Sequence, residues 1–253
     1  MPTLLQTVIL SAVEGVTEFL PISSTAHLTL AATLLGLAQS EFMKSFEIII
    51  QLGAIGAVVA LYWRKLLDLE ILKRLFVAFL PTGILGLTLY KIIKQYLLGN
   101  TAVTLWSLFL GGLFLVVFER MRRGRADGLA DLKRLPYGKC LGIGLFQSLA
   151  MVPGVSRSAA TIVGGLILGL KREAIVEFSF LLAVPTMAAA TGLDLLKSAG
   201  SFSVSQAGTL AIGLLLSFAT AVFAIRFLLN YVRRHDFTAF GIYRMAIVLA
   251  FLA

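Results

Sequence analysis

Six long stretches of the chain are predominantly apolar and contain few charged residues. They cover residues 43–63, 74–98, 101–119, 173–196, 205–231 and 237–253. An α-helix rises about 1.5 Å per residue, so about 20 residues cross the roughly 30 Å hydrocarbon core of a bilayer. The pattern therefore predicts six membrane-spanning helices, of which the last is near the lower limit of length.

Two further apolar stretches are each interrupted by a short break. The segments 2–20 and 24–37 flank the break LPISS, and 139–151 and 156–169 flank the break VPGVS. A limb such as 24–37 corresponds to about 21 Å of helix, which is too short to span. Irregular backbone at membrane depth must be surrounded by protein or by a water-filled cavity. We therefore predict two re-entrant helix hairpins that meet near the membrane midplane.

The two breaks are related in sequence. When Pro21 is aligned with Pro153, Ser24 lies opposite Ser156, and the small residues of the following apolar segments also match. The first copy is predicted to start outside the cell and the second inside, so the repeat is inverted. The predicted fold class is an all-α polytopic membrane protein with an inverted-topology repeat.

Composition and charge agree with this prediction. Of the 253 residues, 58% are hydrophobic and 14% are charged, whereas soluble domains carry about 25% charged residues. The net charge of +9 is concentrated in loops on one side of the predicted spans. We interpret it as a signal of orientation and not as a nucleic-acid interface. The loops 98–101 and 197–204 and both termini are predicted to lie outside.

The same charge pattern divides the chain. Residues 1–253 are predicted to form a single integral membrane domain, with 1–119 as the first inverted repeat and 139–253 as the second. The segment 120–138 holds the largest group of Lys and Arg residues. By the positive-inside rule we predict that it is a basic cytoplasmic linker between the repeats.

The first break is surrounded by side chains that can carry out chemistry. Glu14 and Glu18 are four residues apart and share one helix face. Buried carboxylates are costly in a membrane and are therefore usually paired and functional. Ser23 and Ser24 lie where the next helix begins, a position at which hydroxyls also serve as caps. His27 follows Ser24 by one turn.

The second break supplies a positive charge. Arg157 follows a Pro-Gly pair and has no acid nearby in its own half of the chain. Its anion could be Glu14 or Glu18, in a salt bridge. It could also be a phosphate, since two helix N-termini and an arginine fork favour that group. The predicted phosphate-binding residues are Arg157, Ser156, Ser158, Ser23 and Thr25.

The stretches EGVTEFLPISSTAHL and PGVSRSA, separated by a basic loop, closely resemble the signature stretches of the undecaprenyl-diphosphate phosphatase family. Its members are also known as bacitracin resistance proteins, and the resemblance covers nearly the whole chain. It implies a bacterial inner-membrane enzyme that hydrolyses undecaprenyl diphosphate to undecaprenyl phosphate and recycles this carrier for peptidoglycan synthesis. By matching position it implies functional roles for Glu14, Glu18, Ser24, His27, Ser156 and Arg157.

Several mechanisms fit these residues. Hydrolysis needs a nucleophile, a base and stabilisation of phosphoryl charge. We favour Ser24 as the nucleophile, with His27 or a carboxylate as its base, while attack by His27 or by water is the alternative. Glu14 and Glu18 could share a proton or hold a divalent cation (Mg²⁺ or Ca²⁺), although two carboxylates make a sparse magnesium site. The expected cofactor is therefore either none or such a cation.

A transporter or flippase of an anionic lipid or another anion is the second hypothesis, because broken helices in inverted repeats are a transporter architecture. A transporter needs no nucleophile, so Ser24 and His27 beside two acids favour the enzyme. The predicted partners are a polyprenyl diphosphate lipid and the bilayer, with a homodimer left open. The site is expected to open toward the outer face, and bacitracin is expected to compete by sequestering the substrate.

Overall fold

The computed structural model describes residues 2–38, 40–97, 99–122, 128–198 and 206–252. Over these residues the protein is all-helical and has no β-strand, although an isolated bridge joins Leu129 and Leu170. The principal helices are α1 (Leu4–Thr17), α2 (Ser24–Leu34), α3 (Glu41–Leu66), α4 (Leu69–Thr88), α5 (Thr101–Arg122), α6 (Tyr137–Ser148), α7 (Arg157–Ile167), α8 (Arg172–Ser198), α9 (Ala207–Tyr231) and α10 (Thr238–Leu252).

Five helices of the described chain, α3, α4, α5, α8 and α9, are long and apolar enough to cross a membrane. They correspond to five of the six predicted spans. The sixth, 237–253, corresponds to α10, which has 15 residues. This helix is shorter than the about 20 residues that a bilayer normally requires.

The predicted span 74–98 is displaced in the structure. α4 begins earlier, at Leu69, because the carboxylate of Asp68 accepts hydrogen bonds from two amides of the first turn at 3.0 and 3.3 Å. The regular helix ends at Thr88, and short helical and π-helical turns follow up to Leu97. Capping by Asp68 thus starts α4 before Lys73 and Arg74, whereas the predicted span began only at 74. Hydropathy alone could not indicate this cap.

Two parts of the fold share one backbone pattern: a short helix, an irregular break and a second short helix. We call α1–α2 the first unit and α6–α7 the second unit. The residue before the second helix has a positive φ in both, 71° at Ser23 and 76° at Ser156, and a glycine with positive φ follows that helix, Gly36 or Gly169. The spacing along the chain from Ser23 to Ser156 equals that from Gly36 to Gly169. A positive φ at a serine is strained, which shows how firmly the surroundings fix these two positions.

This correspondence corrects the alignment made from the two prolines. Ser156 has the backbone conformation of Ser23 and not of Ser24, so the sequence alignment was wrong by one position. In the corrected register, Gln147 corresponds to Glu14. The difference arises because a proline within an irregular break has no fixed position, whereas the residue that starts a helix does.

The units pack crosswise onto the rest of the chain. α1 packs against α9, and α6 packs against α4. A Cβ at Gly15 would lie 2.1 Å from Thr220 Oγ1, and a Cβ at Gly144 would lie 2.1 Å from the carbonyl oxygen of Ala78. Glycine is therefore required at both contacts to let the helices approach. Each unit is held by a long helix of the opposite half.

Large apolar side chains enclose the breaks. Phe19 and Phe180 are fully buried and meet edge to face, with ring centroids 5.4 Å apart. By contrast, Trp106 on α5 and Phe223 on α9 are exposed. Exposed aromatic side chains on long apolar helices are expected where a surface faces lipid.

Candidate active site at the junction of the two breaks

The end of α1 carries both predicted carboxylates into the interior. Glu14 is 1% exposed and Glu18 is 8% exposed. Glu18 is the C-cap residue that directly follows α1, and its amide donates to the carbonyl of Glu14 at 2.9 Å. The chain then turns through Pro21, so Glu18 lies within the break and faces the second unit.

The carboxylate of Glu18 joins the two units. Its Oε2 accepts a hydrogen bond from Ser24 Oγ at 2.5 Å, and its Oε1 accepts from Arg157 Nη2 at 2.9 Å. The Arg157 and Glu18 side chains are only 12% and 7% exposed. The predicted salt bridge of Arg157 therefore exists with Glu18, and the same acid contacts the hydroxyl of Ser24.

Arg157 is fixed by contacts within the protein, but one of its N–H donors has no partner in the described residues. Its Nη1 donates to the backbone oxygen of Ser179 at 2.8 Å, and its guanidinium lies 5.9 Å from the ring centre of Phe19. Its Nε is buried and has no hydrogen-bond partner among the described residues. A buried donor without a partner is costly, which makes this guanidinium a candidate anion-binding group.

Glu14 also has an unsatisfied atom. Its Oε1 is buried without a hydrogen-bond partner in the described part of the chain. Those residues contain no group of three or more His, Cys, Asp or Glu side chains that could hold a metal ion. Both oxygens of Glu18 are engaged, so the carboxylate pair does not form a metal site by itself. Glu14 does fit a hydrated cation that takes its other ligands from a substrate, as Mg²⁺ commonly does.

His27 lies close to Ser24 along the chain but contacts other groups. Its Nδ1 is 2.8 Å from the carbonyl oxygen of Ser23, and its Nε2 is 2.9 Å from the hydroxyl of Tyr243. The rings of His27 and Tyr243 are stacked, with centroids 5.5 Å apart. Of the two bases considered for Ser24, the one in contact is the carboxylate of Glu18.

The remaining predicted hydroxyls divide into two groups. Ser156 Oγ accepts the amide of Ala159 at 3.2 Å and lies 3.1 Å from Ser158 Oγ. Ser158 Oγ donates to the carbonyl of Leu20 at 2.8 Å, which ties the second unit to the first break. Ser23 is buried at the start of α2, whereas Thr25 is exposed. The structure therefore does not place Thr25 in the buried cluster.

Arg244 is the main residue that the sequence analysis missed. It is 1% exposed and donates from α10 to five backbone carbonyls. The acceptors, at 2.9 to 3.4 Å, belong to Pro21, Ser107, Leu108, Gly154 and Val155. Both breaks are thus bound to one side chain. A lone cation in the apolar stretch 237–253 was the signal that could have revealed it.

The fold and this cluster define a multi-pass membrane protein with a buried polar site built from two broken-helix units. Residues 7–250 match the family described as Bacitracin resistance protein BacA, and the chain belongs to this family. The resemblance seen in the sequence is therefore confirmed.

Curated relatives extend over nearly the whole chain. A protein of Aquifex aeolicus named undecaprenyl-diphosphatase is 51% identical over 249 residues, which are 98% of this chain and 97% of the relative. Proteins of the same name from Sulfurihydrogenibium sp. and Thermus thermophilus are 51% and 49% identical over 243 and 246 residues. These alignments cover 96% of this chain and 96% and 94% of the two relatives.

Proposed function

We propose that this protein is an integral membrane phosphatase that hydrolyses undecaprenyl diphosphate to undecaprenyl phosphate and inorganic phosphate. The product is the lipid carrier used in peptidoglycan synthesis, and its recycling would confer resistance to bacitracin. The observation that carries this proposal is the contact of Glu18 with both Ser24 Oγ and Arg157 Nη2. A hydroxyl, a carboxylate that can accept its proton, and a guanidinium that suits phosphate thus lie together, which supports the proposal.

In the first step, Ser24 Oγ would form a bond to the terminal phosphorus while Glu18 takes the hydroxyl proton. The bond from this phosphorus to the bridging oxygen breaks, and undecaprenyl phosphate departs with the proton. Water then attacks the phosphorus of the phosphoserine while Glu18 takes a proton from it. The bond between phosphorus and Ser24 Oγ breaks, Glu18 returns the proton to Oγ, and inorganic phosphate is released. Arg157 stabilises the negative charge that develops on the phosphoryl oxygens.

His27 would act as a positioning residue. Its contact with the carbonyl of Ser23 and its stack on Tyr243 hold the strained start of α2. The amides of this first turn would then bind the phosphate, since a helix N-terminus favours an anion. Ser156 and Ser158 hold the second break in the same way, by hydrogen bonds within the protein.

A divalent cation such as Mg²⁺ or Ca²⁺ would be held by Glu14 together with diphosphate oxygens and water. Bound there, it would neutralise charge on the diphosphate. The role of Glu14 itself is to present a buried carboxylate oxygen that has no partner among the described residues. Removal of divalent ions with a chelator, followed by their return, would measure how far activity depends on such an ion.

Trapping of the covalent intermediate tests the mechanism. The wild-type protein, mixed with substrate labelled in the terminal phosphate and quenched rapidly, should carry label on Ser24. Label on His27 would reassign the nucleophile. If no label is trapped at any time point and Ser24→Ala retains substantial turnover, direct attack by water is the better mechanism.

Activity in detergent distinguishes the enzyme hypothesis from the transporter hypothesis. Solubilised protein has no compartments between which a lipid can be moved, so phosphate release from purified protein indicates hydrolysis. The names of the relatives also favour the hydrolase. Bacitracin should inhibit by sequestering the lipid substrate, so inhibition should be relieved by additional lipid. A homodimer would be detected by the mass of the solubilised protein.

For the architecture, we propose an inverted-topology repeat with 1–119 and 139–253 as its halves and 120–138 as a cytoplasmic linker. The equal spacing of the positive-φ serines and glycines in the two units and the crosswise packing of α1 on α9 and α6 on α4 support this proposal. The short helices of the units are proposed to be re-entrant and to meet near the midplane. α10, with 15 residues, would be the sixth span, and the bilayer would be locally thinned around it.

We further propose that the protein lies in the bacterial inner membrane with both termini outside and the site open to the outer face. The distribution of cations supports this orientation. Single cysteines placed at 98–101 and in 120–138, in a Cys140→Ser background, should react with an impermeant reagent only at the first position in intact cells. Labelling of the linker from outside would reverse the assignment.

A further inference from the structure

A cavity of about 520 Å³ lies far along the chain from the cluster around Glu18, where two loops come together. One loop joins α7 to α8, and the other joins α9 to α10. The cavity is lined mainly by charged side chains, including Lys171, Arg172, Glu173, Arg233, Arg234 and Asp236. It shares no residue with the candidate active site.

Two of these charges are already compensated. Arg172 donates to both oxygens of Glu119, at 2.5 and 3.0 Å, and Glu119 also accepts the amide of Phe237 at 3.1 Å. Asp236 accepts the amide of Thr238 at 3.0 Å and lies at the positive N-terminal end of α10. The pair formed by Arg172 and Glu119 and the capping by Asp236 therefore stabilise the loops themselves.

Three cations of the cavity remain available. Lys171, Arg233 and Arg234 are exposed, and within the described residues none of them forms an ion pair with a carboxylate. Glu173 is the one carboxylate of the lining that faces them without a capping bond in the described structure. The free surface of the cavity is therefore cationic, and it would attract an anion from outside the protein.

An apolar groove adjoins this cavity. It has a volume of about 340 Å³, shares Arg234 and His235 with the cavity, and continues along Phe227 and Tyr231 of α9. The rings of Phe227 and Tyr231 are 5.7 Å apart, and Tyr231 stacks on His235 at 4.5 Å. Phe227 is 54% exposed. An aromatic wall thus runs from the cations onto the lipid-facing surface of α9.

We propose that the cavity and the groove together bind one anionic phospholipid of the membrane. Its headgroup phosphate contacts Lys171, Arg233 and Arg234, and one acyl chain lies along Phe227 and Tyr231. Orientation by the positive-inside rule explains cations in these loops, but it requires neither a cavity nor an apolar groove that meets it. A headgroup with an attached chain fits both features.

Lipid binding by purified protein tests this proposal. We would titrate the detergent-solubilised protein with phosphatidylglycerol or phosphatidylcholine of the same chains and measure bound lipid by native mass spectrometry. The wild type should prefer phosphatidylglycerol. The double variant R233Q/R234Q should lose about 25-fold in affinity for phosphatidylglycerol, because each cation near an anionic lipid contributes about fivefold. Its affinity for phosphatidylcholine should not change.

The matched control is R64Q/R120Q, which removes two exposed arginines at the ends of α3 and α5. It should bind phosphatidylglycerol as the wild type does. An equal loss in the control would show attraction by general surface charge and would overturn the proposal. Displacement of the lipid by millimolar inorganic phosphate would show a site for free anions and would also overturn it.

Two further variants keep the test valid if R233Q/R234Q folds poorly. Arg234→Lys retains the charge and should retain most of the affinity. Phe227→Ala leaves every cation in place and should weaken long-chain phosphatidylglycerol several-fold without affecting a dihexanoyl analogue. Unchanged binding of the long-chain lipid by Phe227→Ala would contradict the groove as the site of the acyl chain.

Discussion

The two units have nearly the same backbone but different chemistry. Each has a serine with positive φ before its second helix and a glycine with positive φ after it. At four positions that correspond in this register, the first unit has Glu14, Glu18, Ser24 and His27, and the second has Gln147, Met151, Arg157 and Ala160. One backbone pattern that occurs twice therefore holds an asymmetrical candidate site. The acids come from one unit and the arginine from the other, so neither unit alone forms the site.

At the position that corresponds to Glu14, the second unit has the neutral side chain of Gln147. Its amide donates to Thr82 at 2.9 Å and to Thr186 at 3.2 Å, and so links α6 to α4 and α8. A neutral amide needs no counter-charge when it is buried, whereas Glu14 at the related position retains an oxygen without a partner in the described residues. The same position is thus structural in one unit and available for chemistry in the other.

The largest expected effect distinguishes the two serines at the starts of α2 and α7. Ser24→Ala removes the proposed nucleophile and should lower phosphate release by about a thousandfold or more. Ser156→Ala removes only a helix cap and its bond to Ser158, and it should cost less than about tenfold. Turnover of purified variants, with thermal unfolding as a check of folding, provides the measurement. Similar losses in both variants would show that the serines have equivalent roles.

The next effect distinguishes two buried arginine–glutamate pairs. Arg157→Lys keeps the charge but loses the planar fork, and turnover should fall by about a hundredfold. Arg172→Lys makes the same change in the pair with Glu119, outside the site. It should lower the unfolding temperature with little effect on turnover. Near-normal turnover of Arg157→Lys would indicate that its salt bridge with Glu18 is purely structural.

These contrasts also show what the sequence could predict. Hydropathy predicted six spans, and five of them correspond to helices of membrane length in the described chain, because such spans are defined by composition alone. The motifs identified Glu18, Ser24 and Arg157 as members of one site. The partner of Ser24 could not be predicted, since whether His27 or Glu18 contacts it depends on how the break turns after Pro21.

Arg244 shows the other kind of limit. Its five acceptors are backbone carbonyls from both breaks and from α5. Every residue has a backbone carbonyl, so a sequence pattern cannot indicate which of them accept these hydrogen bonds. Likewise, the register of the repeat depends on the positive φ of Ser23 and Ser156. A serine gives no indication of that conformation, because a positive φ is uncommon for this residue type.

A moderate effect is expected at Arg244. Arg244→Lys keeps the charge but has three donors instead of five, so some of the carbonyls of the breaks lose their partner. The value of kcat should fall by about tenfold and the unfolding temperature should decrease, while KM changes little because the lysine leaves Arg157 in place. A change confined to KM would place Arg244 in substrate binding instead.

The smallest effect is expected for an exposed ion pair. Lys133 Nζ lies 2.6 Å from Asp68 Oδ2, and this hydrogen bond is the main reason that the pKa of Asp68 lies below its ordinary value. Its stabilisation is therefore present above the ordinary pKa of an aspartate and is lost as the pH falls through the lowered pKa. Lys133→Gln should change the unfolding temperature only slightly at pH 7. The difference from wild type should vanish in acid, and activity should not change.

The clamp formed by Arg244 has a consequence for biosynthesis. Arg244 is separated from Pro21 by 223 residues and from Val155 by 89 residues, yet it binds the carbonyls of both. At translation rates of about 5 to 20 residues per second, the first break waits roughly 10 to 45 s for this partner. Arg244 can therefore bind the carbonyls of the first break only after α10 has been synthesised, so both breaks must first fold without this partner.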